Sequence, residues 1–256
     1  MNKLSAVKLF FLLVVSVTTA CADSDKSSKQ NVGLPVTILD GLSLGSLLAE
    51  PEELNSVDKL ESSLDKDWYA GISVRLLDNA AAQEEVKNCR DYFKVLKDGK
   101  QPVKEYERSA YIEFGLMCLA ASDAAKAKPS KKSYLKSFVL DINAPKVLPK
   151  VLAMQLSQTE YEKMLDDKSK VYWGDVNKII GLEKVNDNKV IFKLDNAQQE
   201  IDYVARGDFN NDGIEDILIT SRDSVADGSY TSIRMFLLTK KSSSSGFELL
   251  KEYKAI

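Results

Sequence analysis

Four oxygen-bearing side chains recur at regular intervals in one short segment of the chain's second half. Asp208, Asn210 and Asp212 occupy loop positions one, three and five, and Asp216 occupies position nine. Calcium takes about six to eight oxygen ligands, and a chain that curls round the ion presents alternate residues inward. The main-chain carbonyl of Ile214, at position seven, adds another oxygen. The spacing therefore predicts a calcium site with these five residues as its ligands.

Charge and backbone conformation support a metal in this loop. The Asp212-Gly213 pair predicts a sharp turn, because glycine tolerates the positive φ that such a curl requires. Asp208, Asp212 and Asp216 would repel one another unless a cation lay between them. The alternative interpretation is an acidic β-turn that binds no metal.

The flanking sequence distinguishes this loop from an EF-hand. Position twelve is Ile219 rather than a bidentate glutamate, and the flanks alternate instead of following helical spacing. The stretch from Asp208 to Asp216 instead resembles the FG-GAP or VCBS loop of integrin-like β-propellers, whose blades carry Asp-x-Asn-x-Asp-Gly-x-x-Asp between two strands. The resemblance covers residues 198–253 and implies calcium binding on a sheet. Because no second copy of the motif occurs, we expect one blade-like sheet rather than a whole propeller.

The first residues have the composition of a secretory signal. Lys3 and Lys8 precede a short apolar run over residues 9–15, and small residues follow it. This run is too short for a membrane-spanning helix, which needs about 20 apolar residues. We therefore predict a signal peptide over residues 1–20 and an exported protein, the alternative being a buried amino-terminal helix.

Cys21 follows the small residues and offers a site for lipid attachment. Cleavage before Cys21 resembles processing at the lipobox of bacterial lipoproteins, although Thr18 stands where that family usually has leucine. Cleavage after Ala22 is the alternative, because Ala20 and Ala22 satisfy the small-x-small rule. Residues 21–33 are mainly polar and charged, so we expect a flexible, lipid-anchored tether. The predicted location is the periplasmic side of the outer membrane, the alternative being a soluble periplasmic or secreted protein.

The count of cysteines agrees with an anchored Cys21. The chain has three cysteines, and lipidation of Cys21 leaves Cys89 and Cys118. An oxidising compartment favours pairing them, and each lies on the apolar face of a predicted helix. We predict a Cys89–Cys118 disulfide; two buried free thiols are the alternative.

Helical periodicity dominates the chain as far as residue 168. The predicted helices cover residues 44–66, with Pro51 in a first turn, 79–97, closed by Gly99, and 103–127, closed by Pro129. A further helix is predicted to begin after Ser157, because Ser157-Gln158-Thr159-Glu160 has the pattern of a capping box, and to run to about residue 167.

Alternating patterns replace helical ones after residue 169. Predicted strands cover residues 189–194, 201–205, 214–220, 230–240 and 247–250, separated by turns rich in Gly, Asn, Asp and Ser. Helices followed by strands indicate an α+β protein. We predict a helical region over residues 34–168, followed over residues 169–256 by an antiparallel β-meander that resembles one propeller blade.

Composition argues against several classes of function. The net charge is −3, and loss of Lys3 and Lys8 with the signal makes it −5, which argues against a general nucleic-acid binder. The chain has no histidine, which removes histidine zinc sites and the Ser-His-Asp and Cys-His arrangements. Carboxylate pairs such as Glu105 and Glu113 could serve a hydrolase, but the 38 acidic residues make any choice arbitrary. We expect no enzyme.

These features together favour an envelope lipoprotein that binds a protein partner of unknown identity, with calcium making the sheet rigid. Several anchored proteins with integrin-like loops inhibit cell-wall-degrading enzymes, so the resemblance implies an inhibitor or immunity protein in the periplasm. The alternatives are a structural or assembly factor of the envelope and a carboxylate-dependent hydrolase. The expected contact with the membrane is through the lipid anchor.

Overall fold

A computed structural model describes residues 33–39, 43–226 and 228–255. The predicted signal peptide, Cys21 and residues 22–32 of the tether lie outside the described residues, so their predictions stay untested. No helix of the described part is long and apolar enough to cross a membrane.

Five α-helices lie in the described residues. They are α1 (Leu44–Leu47), α2 (Val57–Ser63), α3 (Cys89–Lys97), α4 (Arg108–Ala124) and α5 (Gln158–Asp166). Short 3-10 helices lie at Glu105–Glu107, Ala144–Lys146, Lys150–Leu152 and Trp173–Asp175. Side-chain oxygens cap three of the α-helices: Ser56 for α2, Asn88 for α3 and Ser157 for α5.

Ten strands form two antiparallel sheets. They are β1 (Thr37–Ile38), β2 (Ile72–Leu76), β3 (Asn79–Val86), β4 (Gln101–Pro102), β5 (Gly181–Lys184), β6 (Lys189–Leu194), β7 (Ala197–Gly207), β8 (Asp216–Val225), β9 (Thr231–Thr239) and β10 (Glu248–Tyr253). The larger sheet runs β10-β9-β8-β7-β6-β5, with β1 paired to β7, and the smaller runs β3-β2-β4. The α+β class with a carboxyl-terminal antiparallel meander is therefore confirmed.

The predicted helix over residues 79–97 is wrong in its first half. Residues 79–86 form β3, which pairs with β2 from Ile72 opposite Val86 to Leu76 opposite Asn79. The helix α3 begins only at Cys89, after the Asn88 side chain accepts a hydrogen bond from the Asp91 N–H. This Ala- and Glu-rich stretch prefers helix when considered alone. Its pairing with β2, which lies outside the stretch used for the prediction, overrides that preference.

Other helix predictions hold in part. The segment over residues 44–66 is not one helix, because α1 ends before Pro51 and α2 begins after it. The helix predicted over residues 103–127 is confirmed as a 3-10 turn leading into α4, and the helix after Ser157 is confirmed as α5. Residues 34–168 thus contain a small sheet in addition to helices.

The large sheet has apolar side chains on both faces. One face packs through Val204, Leu218 and Met235 against α2, α3 and α4. The opposite face packs through Tyr203, Ile219 and Phe236 against an irregular segment that contains Leu148 and Trp173. Residues 32–256 accordingly form one compact unit in which the sheet is the middle layer.

The predicted disulfide joins α3 to α4 beneath the first face of the sheet. Cys89 and Cys118 are bonded, with their Cα atoms 5.3 Å apart, and both are fully buried. The prediction that the two cysteines face inward is confirmed, although Cys89 is the first residue of its helix rather than a middle one.

A buried polar network holds the irregular segment on the second face. Arg234 of β9 donates to Asp223 of β8 at 3.1 Å and to the carbonyls of Val151 and Ala153 at 3.0 and 2.8 Å. Gln199 of β7 donates to the Leu152 carbonyl at 2.6 Å. Since Asp223 is fully buried, it depends on Arg234 for its charge partner.

We predict that breaking this pair destabilises the fold. Asp223→Ala leaves Arg234 buried without its counter-ion and should lower the free energy of unfolding by about 3–5 kcal/mol. The exposed pair of Lys241 and Glu248 is the matched control, and Glu248→Ala should cost less than about 1 kcal/mol. Urea unfolding measures both; equal losses would show that Asp223 is not a buried charge partner.

Candidate metal site

The loop predicted to bind calcium joins β7 to β8 at the end of the longest pair of strands. Gly207, the last residue of β7, pairs with Asp216, the first residue of β8, so the loop closes over this pair. Gly213 has φ of +84°, the positive value expected from the sequence. Asn211 has φ of +65°, a left-handed conformation that asparagine adopts more readily than most residues.

Asp208 and Asn210 fold the loop over through bonds to its main chain. The two carboxylate oxygens of Asp208 accept hydrogen bonds from the N–H groups of Asp212, at 3.1 Å, and Gly213, at 2.8 Å. The amide oxygen of Asn210 also accepts from the Asp212 N–H, at 3.0 Å. These side-chain oxygens therefore point toward the inside of the curl.

Asp212 closes the outer part of the loop. One of its carboxylate oxygens accepts from the Ile214 N–H at 2.7 Å, and the other accepts from the Asn210 amide at 2.9 Å. Asn210 and Asp212 are exposed at the tip, whereas Asp208 and Asp216 are buried at the base. An ion reaching this loop would therefore enter from the exposed tip and meet buried carboxylates below.

Asp216 is the most deeply buried of the ligand candidates. It is fully buried; one carboxylate oxygen accepts from the Phe209 N–H at 3.1 Å, while Oδ1 makes no hydrogen bond of normal geometry among the described residues and the Thr239 hydroxyl lies beside the carboxylate. Burial raises the pKa of Asp216 to about 6, with a smaller contribution from the charges of Asp212 and Asp208, while hydrogen bonding to the Thr239 hydroxyl and the Phe209 N–H acts against the rise. A buried carboxylate oxygen that no backbone N–H occupies is available to a cation.

The Ile214 carbonyl is also available. The segment at Lys132 pairs in parallel with Ile214, using the Gly213 carbonyl and the Glu215 N–H for its hydrogen bonds. The N–H and C=O of Ile214 itself then point away from that segment, and the N–H meets the Asp212 carboxylate. No backbone hydrogen bond of the described residues uses this carbonyl, which leaves it free to bind a metal ion.

The five predicted ligands thus lie in one loop but are not gathered round a single point. Among the described residues, no three histidine, cysteine or acidic side chains are placed so that they could hold a metal ion. The carboxylates of Asp208 and Asp212 instead bond to backbone N–H groups. The donor set of three carboxylates, one amide oxygen and one carbonyl fits calcium chemistry, and Asp216 Oδ1 is the oxygen that needs a partner.

Two features of this site were missed in the sequence. Thr239 of β9 lies next to Asp216, and its buried hydroxyl is a hydrogen-bond donor that acts to lower the pKa of that carboxylate. Residues 128–132 form a second missed feature, since they lie along the loop and fix its outer side. Both contacts depend on the register of the strands and on the path of the chain, and neither can be predicted from a local sequence pattern.

The two carboxylates considered for a hydrolase lie on different elements. Glu105 is exposed on a 3-10 turn, and Glu113 of α4 forms an ion pair with Arg222 of β8 at 2.6 Å. Glu113 thus joins a helix to the sheet.

Comparisons with known proteins give no relative. No protein-family model matches the chain, and searches of curated proteins and of solved structures return no match. The FG-GAP or VCBS resemblance rests on the loop sequence alone and stays a prediction.

We predict that calcium stabilises the protein through this loop. A ligand that binds only the folded state at about a hundredfold excess over its Kd adds about 2.7 kcal/mol, or roughly 5–10 °C in Tm for a chain of this size. Asp212→Ala should abolish the rise, and magnesium should produce a smaller one. Asp166→Ala, which removes an exposed acid from α5, is the matched control and should leave the rise unchanged. A Tm that changes with neither calcium nor chelator would contradict the calcium site and would favour the alternative, an acidic turn that binds no metal.

We also predict that Asp216→Asn has opposite effects with and without metal. The pKa of about 6 in the folded protein lies above the unfolded value of about 3.9, so ionisation of Asp216 removes stability as pH rises from about 4 to 6. At pH 7.5 the neutral variant should therefore be more stable than the metal-free parent, by about 1–3 kcal/mol. Its response to calcium should be lost. Thermal melts in chelator and in calcium measure both effects, and a variant that melts lower in chelator would contradict the account.

Proposed function

We propose that this chain is an exported, calcium-binding lipoprotein of the bacterial envelope that binds a protein partner. The observation that carries the proposal is the acidic loop at the end of β7 and β8, with Asp216 buried and one of its oxygens without a hydrogen bond of normal geometry. A cation in this loop would replace repulsion between carboxylates with shared ligation.

The position of the loop supports a role for calcium in making the sheet rigid. Asp208 exchanges two backbone hydrogen bonds with Lys128, each 2.9 Å long, and Gly213 accepts from the N–H groups of Lys131 and Lys132. The side chain of Val36 lies against Gly207. Ordering the loop would therefore also order the segments on both sides of it.

Exposed apolar side chains lie beside two neighbouring cavities. Thr239, beside Asp216, is followed by Lys240, which lines a cavity of about 290 Å³ with Phe138 and Val139. A neighbouring cavity of about 570 Å³ is lined by Ile142, Pro145, Tyr172 and Ile179, among others. The exposed fractions of Val139 and Ile142 are 65% and 47%. Exposed apolar groups beside concave surface are typical of protein-binding sites.

Within this proposal, an inhibitor or immunity protein against a wall-degrading enzyme is the most concrete form. It is supported by the absence of histidine, by the engagement of Glu113 in an ion pair, and by the loop's resemblance to those of anchored inhibitors. A structural or assembly factor of the envelope is the alternative, and the composition of the captured complex separates the two.

The anchor is tested by the mass of the mature protein. We predict an amino terminus at Cys21 that bears a diacylglycerol, and release of soluble protein by Cys21→Ser. A native terminus at Asp23, as left by cleavage after Ala22, would contradict lipid attachment.

The partner is tested by affinity capture from solubilised envelopes in calcium and in chelator. One stoichiometric wall-degrading enzyme, captured in calcium and lost in chelator and with Asp212→Ala, would support the inhibitor. Several scaffold proteins would support the assembly factor. Capture that is indifferent to calcium would contradict a metal-dependent binding surface, and turnover of a wall polymer by the pure protein would contradict the assignment as a non-enzyme.

A further inference from the structure

A cluster of exposed lysines lies in the segment that follows α4. We call it the basic strip, and it consists of Lys126, Lys128, Lys131, Lys132 and Lys136. Residues 124–140 contain these five cations and no aspartate or glutamate, although the whole chain has a net charge of −3. The strip is therefore a local concentration of positive charge on an acidic protein.

The strip is held in a fixed conformation. Ser130, between its lysines, exchanges backbone hydrogen bonds of 2.7 and 2.8 Å with Leu34. Lys128 is paired in the same way with Asp208, and Lys132 is paired with Ile214. The lysine side chains of the strip are thus attached to a backbone that is fixed by hydrogen bonds to neighbouring segments.

The lysines of the strip make no direct ion pair within the described residues, although the acidic loop that carries Asp208 and Asp212 lies beside them. None of its five lysines forms an ion pair with another described residue. Lys126 donates to the hydroxyl of Ser122, and Lys132 lies over the ring of Tyr134 at 4.5 Å, but both partners are uncharged. Unpaired cations on one segment are available to an external anion.

The strip also lies where the tether joins the fold. Leu34, its backbone partner at Ser130, follows the predicted tether directly. The 12 residues between Cys21 and Leu34 can reach at most about 45 Å, even when fully extended. A lipid on Cys21, as proposed, would therefore keep the strip within this distance of the bilayer, and so short a connection raises the effective concentration of the two surfaces.

We infer that the basic strip binds the anionic lipid headgroups of the membrane that carries the anchor. Lysines beside a lipid attachment point add electrostatic attraction to the hydrophobic insertion of the acyl chains, and a single anchor is commonly combined with such a patch. The position of the strip beside the tether rests on the proposed function; its charge and fixed conformation do not.

A nucleic acid is the less favoured anion. Single-stranded nucleic acid is usually held by exposed aromatic rings on which bases stack, whereas the ring of Tyr134 is covered by Lys132. Binding to anionic headgroups needs charge alone.

The test uses protein that begins at Ala22, which has no lipid and keeps the whole compact unit of residues 32–256. Binding is measured, without added calcium, to vesicles of phosphatidylcholine alone and of phosphatidylcholine with 30% phosphatidylglycerol. We expect at least about tenfold tighter binding to the anionic vesicles, since each lysine near the surface contributes roughly fivefold. The difference should disappear when salt is raised from about 0.1 to 1 M, because the Debye length shrinks from about 10 to 3 Å.

Two triple variants distinguish binding by the strip itself from a general effect of the protein's net charge. Lys128→Gln, Lys131→Gln and Lys132→Gln together should weaken binding at least about tenfold. The matched control replaces the exposed Lys97, Lys168 and Lys178 by glutamine and should retain most of it. Melting curves of both triple variants check that each is folded, and a strip variant that melts lower is replaced by Lys128→Gln with Lys136→Gln.

Three outcomes would overturn the inference. They are equal binding to both kinds of vesicle, equal loss in the strip variant and its control, and tighter binding to a single-stranded oligonucleotide than to anionic vesicles. Because the protein used in this test carries no lipid, a failure to bind vesicles would not contradict the predicted lipid on Cys21. Absence of lipid on the native chain, in turn, leaves the vesicle result untouched.

Discussion

Three chain segments meet at one end of the large sheet, and carboxylates are buried at their junction. The arrangement of this end of the sheet depends on how the charge of those carboxylates is compensated. The loop between β7 and β8 bonds to residues 128–132, and Ser130 of that segment pairs with Leu34. Asp208 and Asp216 are buried at this junction, where their mutual repulsion opposes the packing that encloses them. Backbone N–H groups satisfy Asp208, but one oxygen of Asp216 makes no hydrogen bond of normal geometry and has only the Thr239 hydroxyl beside the carboxylate. A divalent cation bound between these carboxylates would remove their mutual repulsion and would be held by their oxygens.

The rest of the fold is held by contacts that are independent of the loop. On one face of the sheet, the Tyr92 hydroxyl donates to the Ala255 carbonyl at 2.5 Å, and Asp123 of α4 accepts from Lys251 and Tyr253. The buried Arg234 network performs the corresponding role on the other face. We therefore expect the metal-free protein to be folded, and the effect of calcium to be greatest at the end of the sheet that carries the loop and the basic strip.

The sequence predicted the parts of the structure that are encoded locally. Strand β6 begins and ends as its turn residues indicate, and the loop of Asp208 to Asp216 has the expected glycine turn. The disulfide followed from the number of cysteines and the predicted compartment. Strand β3 was mistaken for helix because its Ala- and Glu-rich residues prefer helix in isolation, and β2 supplies the missing partner from outside that window. The contact of the lysine segment with the acidic loop, and of Thr239 with Asp216, depends on tertiary packing and could not be read from spacing.

The most direct measurement of the central claim is a crystal structure of the protein grown with calcium. The account predicts one ion in the loop, with oxygens of Asp208, Asn210, Asp212 and Asp216 and the Ile214 carbonyl at about 2.3–2.6 Å. It further predicts that Asp216 contributes Oδ1, the oxygen that the Phe209 N–H does not occupy in the metal-free fold. A loop that keeps its carboxylates bonded to the backbone N–H groups at saturating calcium, with no ion bound, would contradict it.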